Sequence, residues 1–230
     1  MFKLIEKRHI DSLEVNAKHY QHKKFGSAHL HFESKNNEKV FMVAFRTVPS
    51  DSTGVAHILE HTALCGSKNY PVRDPFFMML RRSINSFMNA FTSTDWTAYP
   101  FATQNEKDFK NLLDVYVDSA FYPNLNKLDF LQEGHRLEID KDGKGDFKGV
   151  VFNEMKGAMS GATDQLWHGI SKHLFKGTTY ENNSGGEPKD ILNLTHADLK
   201  KFHKTHYHPS NAIFFTFGDM QVEKIHDYLE

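Results

Sequence analysis

The run VFMVAFR (residues 40–46) is apolar at almost every position and has the length of one strand, so it predicts a central strand of a sheet. AIFFTF (212–217) predicts a second, shorter apolar strand. Residues 14–21 and 27–32 read as strands with a Lys-Phe-Gly turn between them. FMNAFTSTDWTAYPFAT (87–103) is rich in aromatic residues and threonine, and Ser93-Thr94-Asp95 supplies a turn inside it. The period then changes. Between residues 106 and 121, Phe109, Leu112, Leu113, Tyr116, Val117 and Ala120 share one face of a helix.

Further helices are expected over 55–64, through FFMMLRR after Pro75, and over 128–139, 149–159, 166–174 and 195–205. A last helix starts near Gln221 and runs to the final residue. The segments 49–54, 140–146 (DKDGKGD) and 182–188 (NNSGGEP) carry turn chemistry and read as loops. Strands and helices mix without regular βαβ alternation, so the expected class is α+β, with a mixed, largely antiparallel sheet packed against helices. No internal repeat or low-complexity tract is present. A helix that runs to the last residue suggests that residues 1–230 form one domain at the N-terminal end of a longer multi-domain protein.

Composition narrows the function without choosing it. The chain has 230 residues and a formal net charge of −1, so nothing electrostatic favours nucleic acid or an anionic membrane surface. No apolar run has the length of a bilayer span. The opening MFKLIEKRHIDSLEV lacks the apolar core of a signal peptide and is too acidic for a transit peptide, which favours a bacterial cytoplasm, with an organellar matrix as the alternative. Cys65 is the only cysteine, so no internal disulfide can form. Phenylalanine (20) and histidine (15) are abundant; the first suggests a packed core, and the second could feed a metal site.

GVAHILEHTALCGS (54–67) concentrates that chemistry. His57 and His61 are four residues apart and fall on one helix face, with Glu60 beside them. This is H-x-x-E-H, the inverted order of the commoner zinc-peptidase signature. Two neutral imidazoles hold Zn²⁺ at about 2.0–2.1 Å, and a third protein ligand leaves one position for water. Zinc brings the pKa of that water to about 7, and a nearby carboxylate takes its proton as it attacks a carbonyl. Glu60 is placed for the base role. The plain alternative is a solvated helix face that happens to carry two histidines.

Spacing does not choose the third ligand. Glu133, Glu138 and Glu154 lie downstream on expected helices, as do His135 and His168, and each could equally belong to a solvated face. Cys65 reads as a small buried residue. His206 and His208 in THYHPSN lie two apart before a strand and read as structural. The SGG of 184–186 lacks the Lys and Ser/Thr of a phosphate loop and reads as a turn.

Several ordered blocks carry a resemblance over nearly the whole chain. HILEHTALCGSKNYPVRDPFFMML, INSFMNAFTSTDWTAYPFAT, FKGVVFNEMKGAMS and THYHPSNAIFFTFGD resemble the presequence-protease branch of the pitrilysin/insulinase superfamily of zinc peptidases. The resemblance implies a pitrilysin-like metallopeptidase fold with one zinc ion per domain. It implies that His57 and His61 are the zinc histidines, Glu154 the distal zinc glutamate and Glu60 the general base. Asn89, Ala90 and Phe91 match the segment that pairs with substrate as an added strand, a mode in which main-chain hydrogen bonds give affinity and side-chain pockets tune it. The implied substrate is an unstructured oligopeptide. Members of that branch have four related domains in two halves, and the second half supplies an arginine and a tyrosine that stabilise the tetrahedral intermediate. No position of this chain matches them, so the chain is expected to depend on a C-terminal half as partner and to be weak or inactive alone.

Two other readings compete. A non-catalytic zinc- or peptide-binding scaffold of the same fold is opposed by the intact His57, Glu60, His61 and Glu154 set. A zinc enzyme acting on a small molecule is opposed by the peptide-pairing segment at Asn89.

Overall fold

A computed structural model describes residues 1–230. The chain opens with a three-stranded meander, β1 (Phe2–Ile10), β2 (Val15–His22) and β3 (Ala28–Glu33), followed by β4 (Lys39–Arg46). Helices α1 (Val55–Ala63) and α2 (Pro75–Arg82) lead into β5 (Phe87–Met88), β6 (Phe91–Thr92) and β7 (Trp96–Thr103). The helical middle holds α3 (Glu106–Phe121), α4 (Lys127–Glu133), α5 (Val150–Ala158), α6 (Ala162–Leu174) and the one-turn α7 (Pro188–Ile191); the hairpin β8 (Arg136–Ile139) and β9 (Gly145–Lys148) joins α4 to α5. Helix α8 (His196–His206), β10 (Ala212–Gly218) and α9 (Val222–Leu229) complete it.

The large sheet runs β1-β2-β3-β10-β4-β7-β5, with β6 also on β7. Its pairings are antiparallel except that of β10 with β3. The expected class, α+β with a largely antiparallel sheet against helices, is the one observed. β10 is last in sequence yet lies in the middle of the sheet, between β3 and β4.

The apolar run of β4 splits by face. Phe41, Val43 and Phe45 are buried, and Val40, Met42 and Ala44 of the other face are half-buried. On the covered face these side chains join Tyr99, Phe101 and Phe214 against Ile58 and Leu59 of α1, Leu112 and Tyr116 of α3, and Leu199 of α8. Tyr207 stacks on Phe45 with ring centroids 4.3 Å apart. Burying such aromatic side chains is the main source of stability in a core of this kind.

One expectation needs correction. The segment 128–139 is not one helix: α4 stops at Glu133, and residues 136–139 pair with 145–148 as a hairpin. Gly134 ends the helix, and the backbone of Gly149 crosses so close that a Cβ there would lie 1.9 Å from the Gly134 carbonyl oxygen. The Asp140 carboxylate accepts the Asp142 and Lys144 N–H groups and closes the turn, so the loop is shorter than 140–146. Glu138 and His135 therefore do not lie on a helix. Strand β1 has no counterpart among the expected elements. Its FKLIEKRHI alternates weakly and carries four charges, because both faces of this edge strand are largely exposed and burial imposes no pattern on it.

Candidate metal centre

Helix α1 buries Ala56, Ile58, Leu59 and Ala63, which turns His57 and His61 toward a polar cleft. Their rings meet edge to face, with centroids 5.0 Å apart. Glu154 of α5 reaches the same point: its Oε2 lies 3.7 Å from His57 Nε2 and 3.9 Å from His61 Nε2. The donor atoms of the three residues all lie within 4.8 Å of one another. Of the candidates left open by the sequence, Glu154 is the one that joins the two histidines. Burial of Val151 and Phe152 fixes α5 and leaves Glu154 at the solvent side.

Each histidine has its other nitrogen engaged. His57 Nδ1 donates to the Gly185 carbonyl at 3.1 Å, and His61 Nδ1 donates to Glu133 Oε2 at 3.1 Å. A carbonyl or carboxylate only accepts, so Nδ1 carries the proton and Nε2 presents a lone pair. Glu133 thus stands behind His61 and not among the three converging donors. Burial resists protonation of His61, but the Glu133 hydrogen bond and the charges of Glu60, Glu133 and Glu154 outweigh it and hold its pKa above the usual histidine value. Burial likewise pushes the Glu133 carboxyl up, and hydrogen bonds from His61 and Gln132 overcome it and hold it below the usual range.

Two imidazoles and a carboxylate are the donor set that suits a divalent zinc ion. A tetrahedral ion bonded at about 2.1 Å separates its donors by about 3.4 Å. The observed 3.7 and 3.9 Å need a contraction of a few tenths, and the two histidines, within 4.8 Å of each other, need at most a side-chain adjustment, so the donor set suits the ion.

Glu60 lies on the same helix and is buried. Thr92 Oγ1 donates to its Oε2 at 2.5 Å. Thr92 belongs to β6, so this bond ties α1 to the outer strand of the sheet. Phe91 opens that strand, and Asn89 and Ala90 link it to β5. The Asn89 N–H turns inward and donates to the Pro100 carbonyl at 3.2 Å. The next N–H, that of Ala90, is not paired to β7; it donates to the Asn89 side-chain oxygen at 3.0 Å. Pro100 has no N–H to return to Asn89; the Tyr116 hydroxyl donates to the Asn89 carbonyl instead, at 3.3 Å.

The remaining polar residues stand elsewhere. His135 donates to the Leu194 carbonyl, and His168 meets Asn183 and Glu187. Glu138 pairs with Arg136. His206 donates to the Phe202 carbonyl and His208 bonds Ser210, so the two do not converge. Cys65 is buried with its thiol on the His61 carbonyl, and burial pushes that thiol's pKa up. Sequence reasoning missed three supports: the His61 partner role of Glu133, the Gly185 carbonyl and Thr92. Short-range pattern carries no sign of any of them, because each acts across the fold.

Residues 46–142 match the family profile described as Insulinase (Peptidase family M16), and residues 193–230 match the profile described as Peptidase M16 inactive domain. A protein of Gibberella zeae named "Presequence protease, mitochondrial" is 51% identical over 228 residues, covering 96% of this chain and 22% of that protein. One of the same name from Xenopus tropicalis is 52% identical over 218 residues, covering 93% and 21%. The chain thus spans about a fifth of the length of these curated relatives. Among solved structures, pitrilysin superposes with a TM-score of 0.75 at 18% identity, over 97% of this chain and 23% of that one. A protease from Helicobacter pylori gives 0.71 at 22% identity, over 99% and 48%. At those identities the likeness is one of fold.

Proposed function

The chain belongs to the insulinase peptidase family, and from that premise we propose that it is the zinc-binding catalytic domain of a metallopeptidase that cuts unstructured oligopeptides. The convergence of His57, His61 and Glu154 carries the reading. When bound, zinc polarises a carbonyl and makes water a nucleophile at neutral pH.

This chain's own residues do the rest. His57, His61 and Glu154 hold the ion, with the histidines oriented by the Gly185 carbonyl and Glu133. Glu60 takes a proton at Oε1, because Oε2 is engaged by Thr92. The edge at Ala90 pairs with an extended peptide through main-chain groups once the Asn89 side chain releases the Ala90 N–H, and Asn89 and Phe91 orient the peptide. Pairing of this kind needs a segment that can lie fully extended along the edge, which favours unstructured chain. The same Thr92–Glu60 bond keeps the peptide edge in register with the base.

The relatives are nearly five times as long, so the partner of this domain is the rest of its own polypeptide, which supplies the donors that stabilise the tetrahedral intermediate. Removing one such donor costs about 100- to 1000-fold in rate, so the 230-residue chain alone is weak or inactive. The names of the relatives place them in mitochondria, which favours an organellar matrix for this protein.

The reading is tested by metal analysis and an assay on an unstructured peptide. The chain should hold one zinc ion, lose it with His57→Ala or Glu154→Ala, and keep it with Glu60→Gln. No zinc in the unaltered chain would sink the metal reading. Turnover by this chain equal to that of a full-length family member would sink the dependence on a second half.

A further inference from the structure

Loop 182–188 reads as an ordinary turn, yet it touches the metal centre through one bond, from His57 Nδ1 to the Gly185 carbonyl. A single side chain shapes the loop. Asn183 Oδ1 accepts the Gly185 N–H at 3.1 Å, while its Nδ2 donates to the Gly186 carbonyl at 3.1 Å and to His168 Nε2 at 2.6 Å. These partners fix the orientation of the amide. Turned over, it would set an NH₂ group against the Gly185 N–H and an oxygen against the Gly186 carbonyl.

The loop so closed lies directly on the start of α1. The Glu187 N–H donates to the Ser52 carbonyl at 2.8 Å, and the Asn183 N–H to Ser52 Oγ at 3.1 Å. A Cβ on Gly54 would stand 2.7 Å from the Gly185 oxygen, and one on Gly186 would stand 2.7 Å from Ile191. Both glycines have left-handed backbone, with φ of 68° and 102°. The approach is therefore backbone to backbone, and Asn183 is what holds the Gly185 carbonyl within it.

We propose that Asn183 is a positioning residue of the metal centre: by closing the 183–186 turn it holds the Gly185 carbonyl where it takes the His57 Nδ1 proton, so that His57 Nε2 faces Glu154 as a lone pair. A neutral imidazole free of partners divides between two tautomers, and the other one would point a proton at Glu154. This inference rests on the metal reading above. It also predicts an asymmetry. His61 is oriented by Glu133 and not by this loop, so loss of Asn183 disturbs one histidine of the pair and spares the other.

Long-range ¹⁵N–¹H imidazole spectra of the metal-free 230-residue chain read each tautomer directly. Asn183→Ala should turn His57 from the Nδ1–H form into a mixture while His61 keeps its form. Zinc affinity, measured by competition with a fluorescent chelator, should fall about 10- to 100-fold. Asn183→Asp retains the acceptor for the Gly185 N–H and should bind zinc more tightly than Asn183→Ala; it also serves as the test variant if the alanine form does not fold. An unchanged His57 tautomer overturns the proposal. So does an equal shift in both histidines, which would mean general loosening. If the unaltered chain binds no zinc, the metal reading fails, and the metal-free tautomers still decide the role of Asn183.

Discussion

A histidine's partner decides what it does in this chain. His135, His196, His203 and His206 each donate a ring N–H to a backbone carbonyl, which absorbs much of the histidine excess into structure. His57 uses the same bond but leaves its second nitrogen facing Glu154. His29 and His31 are wholly buried, sharing Thr216 Oγ1, with His29 also on His226. Burial, then the neighbouring His226 and His31, lowers the His29 pKa to about 3; burial, then Lys18, lowers that of His31 to about 4. Unfolded, both titrate near 6.5. The unfolded chain therefore takes up protons that the folded one refuses. Their contribution to stability is complete above pH 6.5 and declines as pH falls from there toward 4. Each histidine costs about 2 kcal/mol at pH 5 relative to pH 8. Urea midpoints across that range should fall, and His31→Asn should flatten the slope. Glu133→Gln should lower zinc affinity about tenfold by chelator competition, since it removes the charge behind His61. Residue spacing made the helix motif legible in sequence, and block resemblance pointed to Glu154. Neither showed which glutamate stands behind a histidine, because that depends on how α4 docks against α1.

At the scale of elements, strong periodicity is what made the sequence readable. The one-faced pattern of 106–121 gave α3 to the residue, and Thr195 with Asp198 forms a reciprocal cap at the start of α8. The first strand of the β8–β9 hairpin reads as helix and β1 carries no expectation; in both, side chains meet water on both sides. Proline inside a strand is another local signal that needs its neighbours to be understood. Pro100 stands in β7, one place in from the edge, and its missing N–H would orphan the Asn89 carbonyl without Tyr116. Tyr116→Phe should cost about 1 kcal/mol of stability where Pro100 is present. In a Pro100→Ala background, whose N–H can bond Asn89, the same change should cost much less. A double-mutant cycle by urea denaturation measures the difference; equal costs in both backgrounds would show that the hydroxyl does not stand in for the lost donor.

For the whole molecule, the α+β class was legible from the order of elements, but the order of strands was not. Nothing local in AIFFTF says that it enters between β3 and β4, since the same apolar pattern suits any interior position. That placement has a consequence for how the chain is made. A ribosome releases β1 to β3 and β4 to β7 long before β10, yet these two parts of the sheet have no direct pairing until residues 212–218 slot between them. The strand that unites them pairs across more than 160 positions of sequence, the kind of distant closure that slows folding. A chain stopped at residue 211 should lack the cooperative unfolding transition of the full 230 residues and yield quickly to protease, with the motif helix present in sequence but without a lasting metal centre. During synthesis, then, the candidate metal site waits for residues 212–218, and the histidines of α1 leave the ribosome well before the strand that completes the sheet behind them.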